Sequence, residues 1–146
     1  MRTYYIYLIE DEIAEYYYGR ERMFYDLFQE YLRGSGHMKK IIRRQIHYIT
    51  KPIPVLSLHV CLQQSFPGQS HFTSEAGAYQ FKSKQNGNDV EVNIEQRMLK
   101  LVASGSFDTE TIIFEGLRNF NGNLLAIDYD HQRYGWMKPI KERKYV

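Results

Sequence analysis

Cysteine is almost missing from this chain and long apolar runs are missing altogether, and each shortage removes a class of protein. The 146 residues hold one cysteine, Cys61, so no internal disulfide framework can form. Its apolar, helical surroundings in the sequence predict a buried thiol rather than a nucleophile or ligand. No stretch approaches the roughly 20 apolar residues of a helical membrane span. The start, Met1-Arg2-Thr3-Tyr4, has neither the apolar centre nor the cleavage site of a signal peptide. Together these predict a cytoplasmic protein with no membrane partner. Neither sign of charge dominates: 19 Lys and Arg against 17 Asp and Glu leave +2, too balanced for a dedicated nucleic-acid binder.

Catalytic constellations are equally scarce. The histidines at positions 37, 47, 59, 71 and 131 show none of the close helical spacings that give zinc two ligands on one face, so no metal is expected. Gly34-Ser35-Gly36 and Gly105 belong to no dinucleotide or phosphate-binding fingerprint and read as caps and turns. Asp89 with Glu91, and Asp128 with Asp130, fall on one side of a strand each, which a solvated sheet face explains. Ser104 and Ser106 lie in no nucleophile motif. The expectation is a protein that is not an enzyme, with no cofactor and no small-molecule substrate.

Tyrosine, by contrast, is in excess. Eight of the 13 fall within the first 31 residues, at positions 4, 5, 7, 16, 17, 18, 25 and 31, more than one buried face can absorb. A tyrosine carries a large apolar body, a polar tip and few torsions to freeze, so displayed clusters favour protein interfaces. The acids around them, Glu10, Asp11, Glu12 and Glu15, would repel phosphate and suit a protein partner. The rival reading is a single-stranded nucleic-acid module using Lys39, Lys40, Arg43 and Arg44 with tyrosine rings for stacking.

Periodicity predicts a strand over Tyr4 to Ile9, then one amphipathic helix with Ile13, Tyr17, Phe24, Leu27, Phe28 and Tyr31 inward, interrupted or bent at Gly19 and ended by Gly34-Ser35-Gly36. A second helix spans His37 to Thr50, with Met38, Ile41, Ile42, Ile46 and Ile49 inward, and a third spans Pro54 to Phe66. Ser65 to Gly77 reads as a loop. Strands follow at Ala78 to Lys84, across an Asn86-Gly87 hairpin turn to Val90, Val92 and Ile94, and at Met98 to Ala103. Asp108 is placed as the N-cap of a helix from Thr109 to Phe120, with Gly122 just past its end. Leu124 to Tyr129 and Tyr134 to Met137 complete the strands. The expected fold is a single α+β domain over residues 1–146, a mainly antiparallel sheet packed with about four helices.

Several pieces, in order along nearly the whole chain, resemble one family: Tyr4-Tyr5-Ile6-Tyr7-Leu8-Ile9, Tyr17-Tyr18-Gly19-Arg20-Glu21, Gln45-Ile46-His47-Tyr48-Ile49-Thr50 with Pro52-Ile53-Pro54, Val102-Ala103-Ser104-Gly105, Glu110-Thr111-Ile112-Ile113-Phe114-Glu115 and Arg133-Tyr134-Gly135-Trp136. Taken together they are similar to the sporulation inhibitor of replication family, SirA, of spore-forming bacilli. The resemblance implies a non-enzymatic inhibitor that binds the N-terminal domain of the replication initiator DnaA and occludes its surface. It implies a binding face of Ile13, Tyr16, Tyr17 and Arg20 on the first helix and Gln45 and Tyr48 on the next. Position 13 is isoleucine where the family's pattern has an aromatic.

Overall fold

In chain order the elements are β1 (Arg2–Leu8), α1 (Asp11–Tyr16), α2 (Glu21–Arg33), α3 (Gly36–Ile49), α4 (Val55–Ser65), β2 (Ser70–Glu75), β3 (Ala78–Ser83), β4 (Asp89–Ile94), β5 (Met98–Ser104), α5 (Asp108–Phe120), β6 (Leu124–Asp128) and β7 (Arg133–Trp136). The computed structural model describes residues 1–65, 70–75, 78–83, 89–105 and 107–137. The strands form one antiparallel sheet in the order β2-β3-β4-β5-β1-β6-β7. The expected α+β class holds.

Strand alternation decides what each face of the sheet carries. Ile6 and Leu8 of β1 point one way with Leu99, Leu101 and Leu124, where Leu58 and Leu62 of α4 and Ile113 and Leu117 of α5 close over them. Tyr7 points the other way with Leu125 and Ile127, and Ala14, Phe24, Tyr25 and Phe28 complete that side with Ile46 and Ile49. Helices therefore cover both faces. Ile6 is fully buried because its strand is paired on both edges, with Leu99 on β5 and Ala126 on β6. Within the second cluster Tyr7 stacks flat on Phe28, ring centroids 4.0 Å apart, and its hydroxyl lies 3.2 Å from that of Tyr129. Burial pushes the Tyr7 phenol up to about 12.

Five departures from the sequence expectations have local causes. The first helix is two: Gly19 adopts φ +82°, a left-handed conformation that no helix interior contains, and the Arg20 amide closes a turn onto the Tyr17 carbonyl at 2.8 Å. Among the described residues the helices thus number five. On α3, Ile42 is buried but Met38 is 62% and Ile41 38% exposed. Ile41 lies about 100° off the Ile42–Ile46–Ile49 stripe. Met38 occupies the first turn of α3 and is not among the residues packed on the second cluster. Part of the expected loop is strand: Ser70–Glu75 pairs with β3 from Ser70↔Ser83 to Glu75↔Ala78, a polar edge strand without an apolar signature. The Asn86-Gly87 turn lies outside the described residues. The cap of α5 is Phe107 rather than Asp108, one residue earlier, with no side-chain cap bond. Its far end falls where expected, at Phe120 with Gly122 just past the Asn121 cap, and Asn121 Oδ1 accepts the Asn123 amide there at 2.8 Å. Cys61, lastly, is half-buried, its Sγ donating to the Gly116 carbonyl at 3.2 Å across the α4–α5 contact.

Asp128 is a further correction, since it does not face solvent. Its side chain is 2% exposed, with Arg133 Nη2 at 2.9 Å and His131 Nδ1 at 2.8 Å from Oδ2, and the His131 amide donating to Oδ1 at 3.2 Å. These contacts clamp the turn between β6 and β7, where Gln132 holds φ +53°. Burial raises the carboxyl's pKa, but hydrogen bonds from Arg133 and from the amide and ring of His131 outweigh it and hold the group below the ordinary carboxylate range. A folded pKa below the unfolded one means that the carboxylate stabilises the fold above about pH 4 and loses that contribution as pH falls through the lowered native value. Asp128→Asn should therefore flatten the acid limb of melting temperature against pH. A limb as steep as the parent's would show that other carboxylates govern acid unfolding.

Candidate functional site

The chain leaves β1 and immediately meets the end of α3. Ile9 bridges Thr50, the Glu10 amide donates to the Ile49 carbonyl at 2.8 Å, and the Lys51 amide donates to the Leu8 carbonyl at 2.7 Å. Lys51 Nζ lies 3.1 Å from Asp11 Oδ1, which also accepts from Asn123 Nδ2 at 2.7 Å. The Lys51 ammonium, with help from Asn123, holds the Asp11 carboxyl below its usual range. The start of α1 is thereby fastened to the end of α3, and the two helices form a corner over the second cluster.

All six residues implied as a binding face are carried by this corner and the link to α2. Ile13 and Tyr17 are half-buried, packed on the same cluster as Ile46 and Ile49. Tyr16 is 72% and Tyr48 75% exposed, while Arg20 and Gln45 are also exposed. Tyr17 stands edge-on to Tyr16 at 4.9 Å and to Phe24 at 5.8 Å, so one ring joins the displayed tyrosine to the core. Gln45 and Tyr48, three apart, share the outer face of α3. The break at Gly19 reassigns two positions: Tyr17 is the C-cap of α1, and Arg20 is the N-cap of α2. Asp11, Glu12 and Glu15 are exposed on α1, giving the corner an acidic border.

Two residues that stand in separate pieces of the family resemblance meet in this region, which nothing in the sequence shows. Glu21 Oε1 accepts the Gly19 amide at 3.2 Å and Trp136 Nε1–H at 2.8 Å, across 115 positions of chain. Only the antiparallel return of β7 beside β6 brings the indole there.

The remaining cavities offer less. A cleft of about 490 Å³ beside α5 is lined by Tyr4, Glu110, Phe114, Asp128, Arg133 and Trp136, among others. Its two buried carboxylates are each matched by a guanidinium, Glu110 by Arg2 and Asp128 by Arg133. Among the described residues no group of three or more His, Cys, Asp or Glu side chains could hold a metal ion, and no helix is long and apolar enough to cross a membrane. Lys40, Arg43 and Arg44 are exposed on α3, while Lys39 Nζ lies over the Tyr31 ring, 4.9 Å from its centroid.

Comparison with known proteins identifies the family. The model of a family described as sporulation inhibitor of replication protein SirA matches residues 2–141. A protein of that same description from Bacillus subtilis (strain 168) is 36% identical over 147 residues, covering 99% of this chain and 99% of its own length.

Proposed function

The chain belongs to the SirA family of sporulation inhibitors of replication, and from that premise we propose that it stops new rounds of DNA replication during sporulation by binding the N-terminal domain of the initiator DnaA. It acts by occlusion, in the cytoplasm, with residues 1–146 as one unit and without chemistry of its own. The observation that carries this reading is the pair of large exposed rings, Tyr16 and Tyr48, on helices locked together at one corner. Rings held by a rigid scaffold lose little entropy on docking, and aromatic anchors of this kind supply most of the energy of protein interfaces. Ile13, Tyr17, Arg20 and Gln45 complete the face, and the acids of α1 favour a partner with basic groups at its rim.

Isothermal titration with the isolated initiator N-terminal domain tests the proposal. The expected result is a stoichiometric complex that needs neither nucleotide nor metal. Absence of heat and of co-elution at tens of micromolar, roughly where a weak specific interface still registers, would overturn it. The same protein titrated with origin DNA should bind weakly and without sequence preference. Tight binding with a steep salt slope would transfer the function to the basic face of α3.

A further inference from the structure

We infer that Trp136 and Glu21 are positioning residues for the partner-binding face, setting the Tyr17–Arg20 link from the opposite end of the chain. The inference rests on the reading of that face as the surface that takes the initiator domain.

Helix α1 has six residues, far fewer than a helix needs to persist alone, so its orientation is whatever its two ends dictate. At its start are the ties to α3 and Asn123 through Glu10 and Asp11. At its far end the chain must turn through Gly19 at φ +82° before α2 begins, and two routes from Trp136 converge on this turn. The polar route is the Glu21 carboxylate, one oxygen of which receives both the Gly19 amide and the indole N–H. The aromatic route runs through rings: Trp136 stands edge-on to Phe24 at 5.7 Å, and Phe24 edge-on to Tyr17 at 5.8 Å. Trp136 itself is fixed by the ladder of β7 on β6, opposite Leu125. The indole therefore acts as a post planted in the sheet, against which the Tyr17–Arg20 turn is braced.

Magnitude separates positioning from plain stability. The Gly19 amide is exposed and the Trp136 indole only half-buried, so water can take over much of what Glu21 accepts and the cost to folding is modest. What is lost is the single orientation of Tyr17 and Arg20, and an interface whose anchors must be ordered on docking binds more weakly. Glu21→Ala should therefore weaken binding of the initiator domain about tenfold, on the scale of one charge-assisted hydrogen bond, with only a small fall in melting temperature. Glu21→Gln, whose amide oxygen still accepts both donors, should restore most of the affinity. Trp136→Phe keeps a ring against Phe24 but has no N–H, and should fall between the parent and Glu21→Ala.

The experiment is calorimetric titration of the full-length parent and the three variants, with nitrogen–proton spectra recorded on each. Trp136 is the chain's one tryptophan, so its indole signal needs no assignment, and the Gly19 amide reports the turn directly. The expected result is that Glu21→Ala moves both signals and lowers affinity, and that Glu21→Gln returns both. If Glu21→Ala moves the signals while binding as the parent does, the brace exists but does not serve the face, and the inference is overturned. It is overturned equally if Glu21→Gln binds as poorly as Glu21→Ala, because the carboxylate's charge and not its geometry would then be at work. A parent protein that fails to bind is a different outcome, visible before any variant is made, and it removes the functional reading together with this one.

Discussion

Tyr48→Ala should lose about 2 kcal/mol or more of binding to the initiator N-terminal domain, roughly a thirtyfold drop in affinity, while melting with the parent protein. The ring is 75% exposed, and its position on the outer face of α3 leaves nothing inside the protein to collapse when it is removed. Tyr17→Ala should behave differently. That ring is half-buried between Tyr16 and Phe24, so its loss should lower both affinity and melting temperature. Paired melting and binding curves on the two variants give the comparison. Parent-like affinity in Tyr48→Ala would move the interface off the outer face of α3.

The opposite extreme is Phe28. It is 1% exposed and stacked flat on Tyr7, and Phe28→Ala should cost about 3 to 5 kcal/mol of folding stability through lost contacts and the cavity left behind. Denaturant titration of the variant measures this directly, and any binding loss should follow the unfolded fraction. A cost below about 1 kcal/mol would mean that the second cluster collapses to fill the space, which a face built from rigid rings on a paired sheet resists.

How much of this was legible in the sequence varied with the range of the cause. The alternation of β1 and β4 and the long stripe of α2 are local, and they emerge where expected, with Ile6, Val90, Val92, Phe24 and Phe28 buried. Leu27, placed on the same stripe, is only half-buried. The break at Gly19 was visible as an interruption, but not as a full turn, because the sequence does not show the bond from Glu21 or the indole behind it. Asp128 read as solvated because its partners, Arg133 and His131, come into reach only through the hairpin that it clamps. Of the implied face, the individual residues could be placed on two helices. That the first of those helices begins where the second ends depends on the Ile9–Thr50 bridge, and nothing in either segment alone encodes it.

The strand nearest the amino terminus has sheet neighbours on both sides, and both of them come late in the chain, which governs when the sheet can close. Its partners are Met98 to Ala103 on one edge and Leu124 to Ile127 on the other. During synthesis β1 is made well before either partner, so one edge waits for β5, Met98–Ser104, and the other waits longer still, for β6, Leu124–Asp128. Long-range pairing of this kind makes folding slow and leaves exposed strand edges vulnerable to wrong partners in the meantime. The helices α1 to α3, made directly after β1, are the natural temporary shelter for Tyr7 and its neighbours. A chain assembled in this order closes its sheet around β1 only once β6 has been made.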